Sequence, residues 1–318
     1  MWATTGQFQL TKFGIFVHRD GPDYHSVKQT VLKAEELGFD SIWLVDHFFS
    51  FPQASNRDFL EVTSLMSALA ATTSKIRIGA LVLCNSYRHP SLLAKISATI
   101  DNISDGRLEF GFGAGWYEEE YRAYGYQFPK ASIRIEQMGE ALQIIKAMWT
   151  EENPSFEGKH YTISNAICAP KPVQSPHPPI TIGGEGKKLL GVIAALADRW
   201  NFRGFNAGPE QFKIKNAELE EECRKIGRDP HSLERSVVGN VISGENEDKA
   251  IDRAKEMAKR RNVPVEKILS AVFLGSPEQF ASQTRKYVDL GVSYFIFGGI
   301  DINNMEFVKD GLLKPSGF

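Results

Sequence analysis

Short apolar runs alternate with longer amphipathic stretches along most of the chain. The runs predict eight strands, at 13–17, 41–45, 76–83, 108–112, 180–182, 199–203, 236–243 and 294–297. Between most of them the spacing of apolar residues predicts helices, at 24–37, 59–72, 90–103, 133–149, 187–196, 209–226, 247–260 and 276–290. Strands that are apolar throughout are typical of a parallel sheet covered on both faces. Eight of them favour closure into a barrel over an open, doubly wound sheet.

The segment from 151 to 179 interrupts this alternation, because it is rich in proline and turn residues. It is either a linker between two domains or an ordered insertion. We favour the insertion, since the segment is short and keeps the apolar residues Phe156, Tyr161 and Ile163. The sequence therefore predicts an α/β fold: one (β/α)8 barrel domain over residues 1–318, with an insertion at 151–179.

Composition limits the class of partner. The formal net charge is −2 and the pI is near 6.4, so no basic surface points to nucleic acid or to an anionic membrane. Residues 1–6 do not read as a signal peptide, and no apolar run approaches the roughly 20 residues that cross a bilayer. The three cysteines, Cys84, Cys168 and Cys223, form no CxxC pair, and the seven histidines are scattered. We expect a cytoplasmic protein with a small-molecule substrate and no metal.

Unusual residues stand where predicted strands end, the face on which barrels carry their active sites. The second strand runs into Asp46 and His47. A carboxylate beside an imidazole can transfer protons near neutral pH. Equally, Asp46 can cap a loop while His47 serves as a structural donor. The residues alone leave both interpretations open.

The third predicted strand runs into Cys84 and then Arg88, His89 and Pro90. Arg88 is suited to pair with a phosphate, or with a carboxylate from another loop, and a structural role for the turn at 88–90 is favoured. Cys84 reads as a small buried apolar residue, because nothing in the sequence supplies a base that would activate it.

Glycines mark two further strand ends. Gly111, Gly113 and Gly115 remove side chains from one face of the fourth strand, which either lets a planar group approach the backbone or only permits tight packing. The adjacent acids Glu118, Glu119 and Glu120 are expected to face solvent. After the fifth strand, Gly183, Gly184 and Gly186 precede Lys187 and a helix, a pattern that suits an anion, with a plain helix cap as the alternative. Together these features suit a phosphorylated planar cofactor.

Five segments carry a resemblance to a known family. They are 38–48, 87–90, Gly113-Ala114-Gly115-Trp116 with Glu120-Tyr121, 178–184 and 197–201. In this order they resemble the luciferase-like monooxygenase superfamily, and within it the coenzyme F420-dependent oxidoreductases, with FMN enzymes as close relatives. The motifs extend over most of the chain.

The resemblance implies a barrel with an insertion, usually a homodimer, with a deazaflavin or flavin at the C-terminal face. Asp46 and His47 match the pair near the reactive ring, and Leu81 and Val82 match a non-proline cis peptide behind it. The other positions that match the cofactor site are Cys84, Ala114, Gly115, Trp116, Glu119, Gly183, Gly184, Gly186 and Lys187. Sugar-phosphate dehydrogenases of this branch carry a catalytic glutamate where this chain has Trp116, so that activity is not expected to carry over.

The function predicted from these parts is F420-dependent hydride transfer to or from an unidentified organic substrate. His47 would exchange a proton, Asp46 would hold its tautomer or contact the cofactor, and the loop 183–187 would bind the cofactor phosphate. The first alternative is an FMN-dependent monooxygenase that works with a flavin reductase. The second is a barrel that binds a cofactor without catalysis. Aromatic residues of the rim loops suggest an apolar or planar substrate: Phe49, Phe51, Phe59, Phe156 and Tyr161.

Overall fold

The computed structural model describes residues 11–17, 23–50, 57–204, 208–244, 246–269, 272–300, 302 and 304–312. The strands are β1 Lys12–Phe16, β2 Ser41–Leu44, β3 Arg77–Ala80, β4 Leu83–Cys84, β5 Leu108–Gly113, β6 Phe156–Glu157, β7 Thr162–Ile163, β8 Ile180–Gly183, β9 Arg199–Arg203, β10 Glu234–Ser243, β11 Val272–Gly275 and β12 Tyr294–Gly298. The helices are α1 Tyr24–Leu37, α2 Val62–Thr72, α3 Pro90–Ile103, α4 Glu118–Ala123, α5 Ala131–Thr150, α6 Lys187–Leu196, α7 Pro209–Lys225, α8 Glu247–Arg261, α9 Val265–Leu269, α10 Pro277–Val288 and α11 Met305–Leu312.

Parallel strands close into a barrel in the order β1, β2, β3, β5, β8, β9, β10 and β12, after which β12 pairs with β1. At the point of closure Ser236 is paired with Tyr294, which in turn is paired with Lys12. Helices lie between most of the successive strands in the described part of the chain. The predicted (β/α)8 barrel is therefore confirmed, and each predicted strand corresponds to a barrel strand.

The third predicted strand is not continuous. The peptide bond between Leu81 and Val82 is cis, and it separates β3 from β4. Both pieces pair with β5, through Ile78 with Leu108 and through Leu83 with Phe112. The cis peptide that the family resemblance implied is present at this position.

One strand of the sheet was not predicted. β10 is long enough to change partner along one edge: Glu234–Val238 pairs with β9, and Asn240–Ser243 pairs with β11. The sequence pattern missed β11 because a run of four residues gives no periodic signal of its own. Short helices α4 and α9 escaped prediction for the same reason.

The insertion that follows α5 is ordered. It contains the antiparallel hairpin β6–β7, and Phe156, Tyr161 and Ile163 pack against the main core. The interpretation of residues 151–179 as an insertion on the barrel is thus confirmed. That residues 1–318 form a single domain stays a prediction, and residues 1–6, on which the signal-peptide expectation rests, lie outside the described ranges. None of the helices that the structure describes has the length and apolar character needed to cross a bilayer.

An ionic cluster is buried near the N-terminal ends of the barrel strands. There the guanidinium of Arg199 lies 2.6 Å from Glu109 and 2.6 Å from Glu234, and it also lies 4.3 Å from the ring centre of Tyr294. This buried ionic cluster occupies the face opposite to the candidate site. In barrels that face contributes to stability rather than to catalysis.

Candidate active site

A cavity of about 320 Å³ opens where the C-terminal ends of the barrel strands meet. Its volume is in the range of cavities that hold small ligands and cofactors. The wall is formed by loops after β2, β4, β5 and β8 together with the first turns of α5 and α6. The lining residues are Asp46, His47, Leu81, Val82, Cys84, Tyr87, Gly113, Ala114, Gly115, Trp116, Tyr117, Ala131, Arg134, Ile135, Gly183 and Leu189.

Glycines leave one wall of this cavity without side chains. A Cβ atom on Gly113 would lie 2.5 Å from the Cγ2 atom of Val82, and one on Gly115 would lie 1.8 Å from the hydroxyl of Tyr121. Gly115 also has a φ of +75°, which side-chain-bearing residues rarely adopt. Close packing therefore leaves no room for a side chain at either position, and this part of the wall consists of main chain together with Leu81 and Val82.

Asp46 anchors the loops that carry this wall. Its carboxylate accepts hydrogen bonds from the Cys84 N–H at 2.7 Å and from the Arg88 guanidinium at 2.7 and 3.0 Å. Arg88 also donates to Glu61 at 2.6 Å, so it pairs with carboxylates from other loops, one of the two predicted roles. Burial opposes the charge of Arg88, but Asp46 and Glu61 outweigh that effect and raise its pKa.

His47 pairs with a different carboxylate from the one expected. Its Nδ1 atom lies 2.7 Å from Oε2 of Glu120, while the carboxylate of Asp46 is directed to Arg88 and Cys84. The interpretation that Asp46 holds the tautomer of His47 is therefore wrong. Contact between Asp46 and a cofactor stays a prediction.

The expectation that Glu120 faces solvent is also wrong, because its side chain is 0% exposed. Glu118 and Glu119 are exposed as predicted. The difference follows from helix geometry, because successive residues of α4 are rotated by about 100° and the third acid turns inward. Glu120 also accepts from the Phe48 N–H at 2.6 Å and from the Tyr87 hydroxyl at 2.7 Å. Burial opposes its charge, but the hydrogen bond with His47 leads the effects that lower the pKa of Glu120.

Aromatic side chains form the rim of the cavity. The Trp116 ring is stacked on Tyr117 with 5.2 Å between centroids, and it meets the His47 ring edge-on at 5.8 Å. Trp116 is 61% exposed, which is unusual for an indole unless a ligand or partner covers it. Phe49 extends the rim through an edge contact with Tyr117.

Three other predicted rim residues lie elsewhere. Phe59 belongs to a separate small cavity beside α2, Phe156 and Tyr161 pack against the core, and Phe51 lies outside the described residues. The insertion contributes none of the described residues that line the main cavity. Apolar residues of the insertion are accounted for by core packing, which the sequence pattern could not separate from a binding role.

Two helix N-termini meet at one end of the cavity. Gly186 is the N-cap of α6 and has no side chain to occupy the N–H groups of the first turn. The ammonium group of Lys188 lies 3.1 Å from the Ser132 carbonyl, which places the starts of α5 and α6 side by side. Gly183 and Leu189 line the cavity from this end, while Lys187 is exposed. Uncapped N–H groups and the helix dipole favour an anion here.

Arg134 is a cavity residue that sequence reasoning missed. It lies in the first turns of α5, is buried, and its guanidinium is 3.9 Å from the centre of the Phe128 ring. It donates to the carbonyl oxygens of Gly115 and Pro129. The signal in the sequence was a cationic residue at the start of a predicted helix, and this alone does not indicate a binding site.

Cys84 lies in the wall, where its Sγ atom is 3.2 Å from the hydroxyl of Tyr121. Burial raises the pKa of Cys84 to about 11, so the side chain is a neutral thiol near neutral pH. This agrees with the prediction of an unreactive residue. No group of residues suited to hold a metal ion occurs in the described part of the chain.

Comparison with known proteins matches residues 4–294 to the model of one family, the luciferase-like monooxygenases. The chain belongs to the luciferase-like monooxygenase family. Among curated members, an F420-dependent glucose-6-phosphate dehydrogenase of Microbacterium testaceum is 26% identical over 87% of this chain and 88% of its own length. An FMNH(2)-dependent dimethylsulfone monooxygenase of Pseudomonas putida is 30% identical over 68% of this chain and 58% of its own length.

The fold of this family member is also that of solved structures. An F420-dependent secondary alcohol dehydrogenase, solved with an F420–acetone adduct, superposes with a TM-score of 0.82 at 22% identity, covering 95% of this chain and 98% of the other. At that identity the likeness shows the barrel and no more. The curated relatives include oxidoreductases and monooxygenases, several of which are named after F420 or FMN.

In this luciferase-like barrel the predicted site residues fall into two groups. Those that line the cavity are Asp46, His47, Leu81, Val82, Cys84, Ala114, Gly115, Trp116 and Gly183. Those outside its lining are Glu119, Gly184, Gly186 and Lys187. The carboxylate of Glu119 accepts from the Tyr117 hydroxyl at 2.8 Å, and the carbonyl of Gly184 accepts from the Trp200 indole at 2.8 Å. Their contact with a cofactor stays a prediction.

Proposed function

We propose that this chain is an F420-dependent oxidoreductase in which His47 exchanges a proton with an organic substrate. One observation carries the proposal: His47 lines the same cavity as Gly113 and Gly115 and as Gly183 and Leu189, which flank the uncapped N-terminus of α6. Curated relatives that span most of the chain carry F420 in their names, which supports the deazaflavin over other planar cofactors.

The residues present fit such a cofactor. Gly113 and Gly115 line the cavity beside Leu81 and Val82 without side chains of their own, and a ring system can lie against this wall. The N-terminus of α6 and the guanidinium of Arg134 give positive potential for a phosphate. When bound, the deazaflavin supplies hydride transfer, which the side chains of the protein cannot perform themselves.

The chain's own residues then have separate roles. His47 gives or takes the proton that must accompany a change between a carbonyl and an alcohol, or between similar groups. Asp46 and Arg88 hold the loops that carry the wall. Trp116 and Tyr117 cover the substrate and exclude water from the cavity mouth.

The rim supports an uncharged substrate with an apolar or planar body. Trp116 presents a large exposed ring beside His47. This ring has no charged group that could pair with a sugar phosphate. Because stacking and apolar contact dominate such a surface, ketones, enones or aromatic alcohols are the candidates to test first.

The deciding experiment is titration of the purified protein with F420 and with FMN, each in oxidised and reduced form, followed by fluorescence. We expect F420 to bind at least tenfold more tightly. His47→Ala should keep the dissociation constant for F420 within about threefold and lower the turnover by roughly 10²-fold. Exclusive binding of FMN would overturn the cofactor assignment. Turnover by His47→Ala at the wild-type rate would overturn the role of the histidine.

An FMN-dependent monooxygenase is the second candidate, because a relative with 30% identity is named as FMNH(2)-dependent. It would need reduced flavin from a separate reductase, and it would consume oxygen when reduced FMN and substrate are supplied. We further propose a homodimer, which light scattering after gel filtration tests directly. The curated relatives give no support to a barrel without catalysis.

A further inference from the structure

Three separate elements meet at Glu120, beside His47. His47 and Phe48 belong to the loop after β2, Tyr87 to the turn after β4, and Glu120 to helix α4. Both oxygens of Glu120 are used: Oε1 accepts from the Phe48 N–H, and Oε2 lies 2.7 Å from both the Tyr87 hydroxyl and the His47 Nδ1 atom. No polar atom of its side chain is left for solvent, since the side chain is 0% exposed.

We propose that Glu120 is the positioning residue of the site: it fixes the His47 ring and places the ring's proton on Nδ1. The inference rests on the proposed function in so far as His47 is the proton-exchanging residue. Nε2 is then the nitrogen that exchanges a proton with a substrate. Glu120 acts through His47 and needs no contact with substrate or cofactor.

The protonation states of Glu120 and Tyr87 determine which atom donates in the contact with His47. A buried carboxylate that accepts a main-chain N–H and a phenol O–H is ionised, and the pKa of Glu120 is lowered accordingly, with the His47 hydrogen bond as the leading favourable cause. Burial raises the pKa of Tyr87, so its hydroxyl keeps its proton and donates it. An ionised carboxylate has no proton to give. Nδ1 of His47 must therefore be the donor in the 2.7 Å contact.

Packing fixes the ring plane as well. The His47 ring meets Trp116 edge-on at 81° and Tyr117 at 74°, so a rotation about its side-chain bonds would break both contacts and the hydrogen bond to Glu120. The His47 side chain is 12% exposed, which limits exchange of Nδ1 with water. Orientation by a buried carboxylate is the means by which many catalytic imidazoles are held in one tautomer.

A purely structural role is the competing explanation, because Glu120 also anchors the loop through Phe48. The positioning role and the structural role predict different behaviour for the tautomer of His47, and this tautomer does not depend on folding stability. Nitrogen-15 NMR of histidine-labelled protein without cofactor reports it at pH 9, where imidazoles are neutral. The chain has seven histidines, so a His47→Asn sample identifies the His47 signals by their loss.

In the wild type we expect the signals of a protonated Nδ1 and an unprotonated Nε2. Glu120→Gln should give a mixture of tautomers and lower kcat by roughly 10²-fold, with KM within about threefold. Glu118→Gln is the matched control, because Glu118 lies on the same helix and is exposed in an ion pair with exposed Arg122, and it should change neither readout.

Wild-type protein with the proton on Nε2 would overturn the inference even if Glu120→Gln failed to fold. A folded Glu120→Gln with an unchanged tautomer and unchanged kcat would also overturn it. Glu120→Asp should shift the tautomer population less than Glu120→Gln does, because the charge remains and only the reach is shorter. The tautomer is measured without cofactor, so failure of the F420 assignment would leave this result standing.

Discussion

The carboxylate of Asp46 and the guanidinium of Arg88 form a two-point ion pair at the floor of the cavity, with N–O distances of 2.7 and 3.0 Å. The same carboxylate accepts the Cys84 N–H at 2.7 Å, two residues after the cis peptide between Leu81 and Val82. One side chain thereby ties the end of β2 to the main chain of the cavity wall.

Asp46→Asn should destabilise the protein by about 1–3 kcal/mol, because the buried Arg88 loses one of its two carboxylate partners and keeps the partly exposed Glu61. Urea unfolding measures this change. Asp252→Asn is the control: its ion pair with Lys255 is exposed, and its loss should cost about 0–1 kcal/mol. Equal effects of the two substitutions would contradict the anchoring role.

Gly115→Ala should lower stability and weaken cofactor binding, since the new Cβ would lie 1.8 Å from the Tyr121 hydroxyl. Gly125→Ala separates this clash from backbone strain: Gly125 has a φ of +76°, close to the +75° of Gly115, but nothing lies within 4 Å of its Cβ position. Gly125→Ala should cost only the conformational penalty of about 1–3 kcal/mol and leave binding intact. Unfolding curves and fluorescence titration with F420 provide the two readouts.

Glu61 should contribute to the acid stability of the protein. Burial opposes its charge, but hydrogen bonds from Ser64, Arg88 and Thr63 lower its pKa from 4.5 to about 2. A lowered folded-state pKa gives stability that is present above the unfolded-state value and is lost as the pH falls toward 2. Glu61→Gln should therefore be less stable than wild type at pH 7, with the difference vanishing near pH 2. A difference that is constant across this range would exclude the linkage.

All three thiols should be inert in the native protein. Cys84, Cys168 and Cys223 are buried, and burial raises the pKa of each. A disulfide reagent at pH 8 should titrate none of them before unfolding and all three in denaturant. Rapid reaction of one native thiol, assigned by mass spectrometry, would show that its surroundings open in solution.

The sequence by itself determined the architecture. Apolar runs and helix patterns located the barrel strands. The bounds of α1, α3 and α6 agree with their patterns because end signals act locally: the caps Gly38 and Gly186, and Pro90 in the first turn. The glycines at 111, 113 and 115 were recognised as positions that leave one face bare, because the absence of a side chain is a property of single residues.

Only the tertiary structure decided which side chains meet. Glu120 is 73 residues from His47 along the chain, and Arg88 is 42 residues from Asp46. Asp46 stands beside His47 in the sequence, yet consecutive residues at a strand end point in different directions. A local pattern reports the spacing of residues within one element. Contacts between loops depend on how the strands are arranged around the barrel, so the partner of the histidine became visible only in the folded chain.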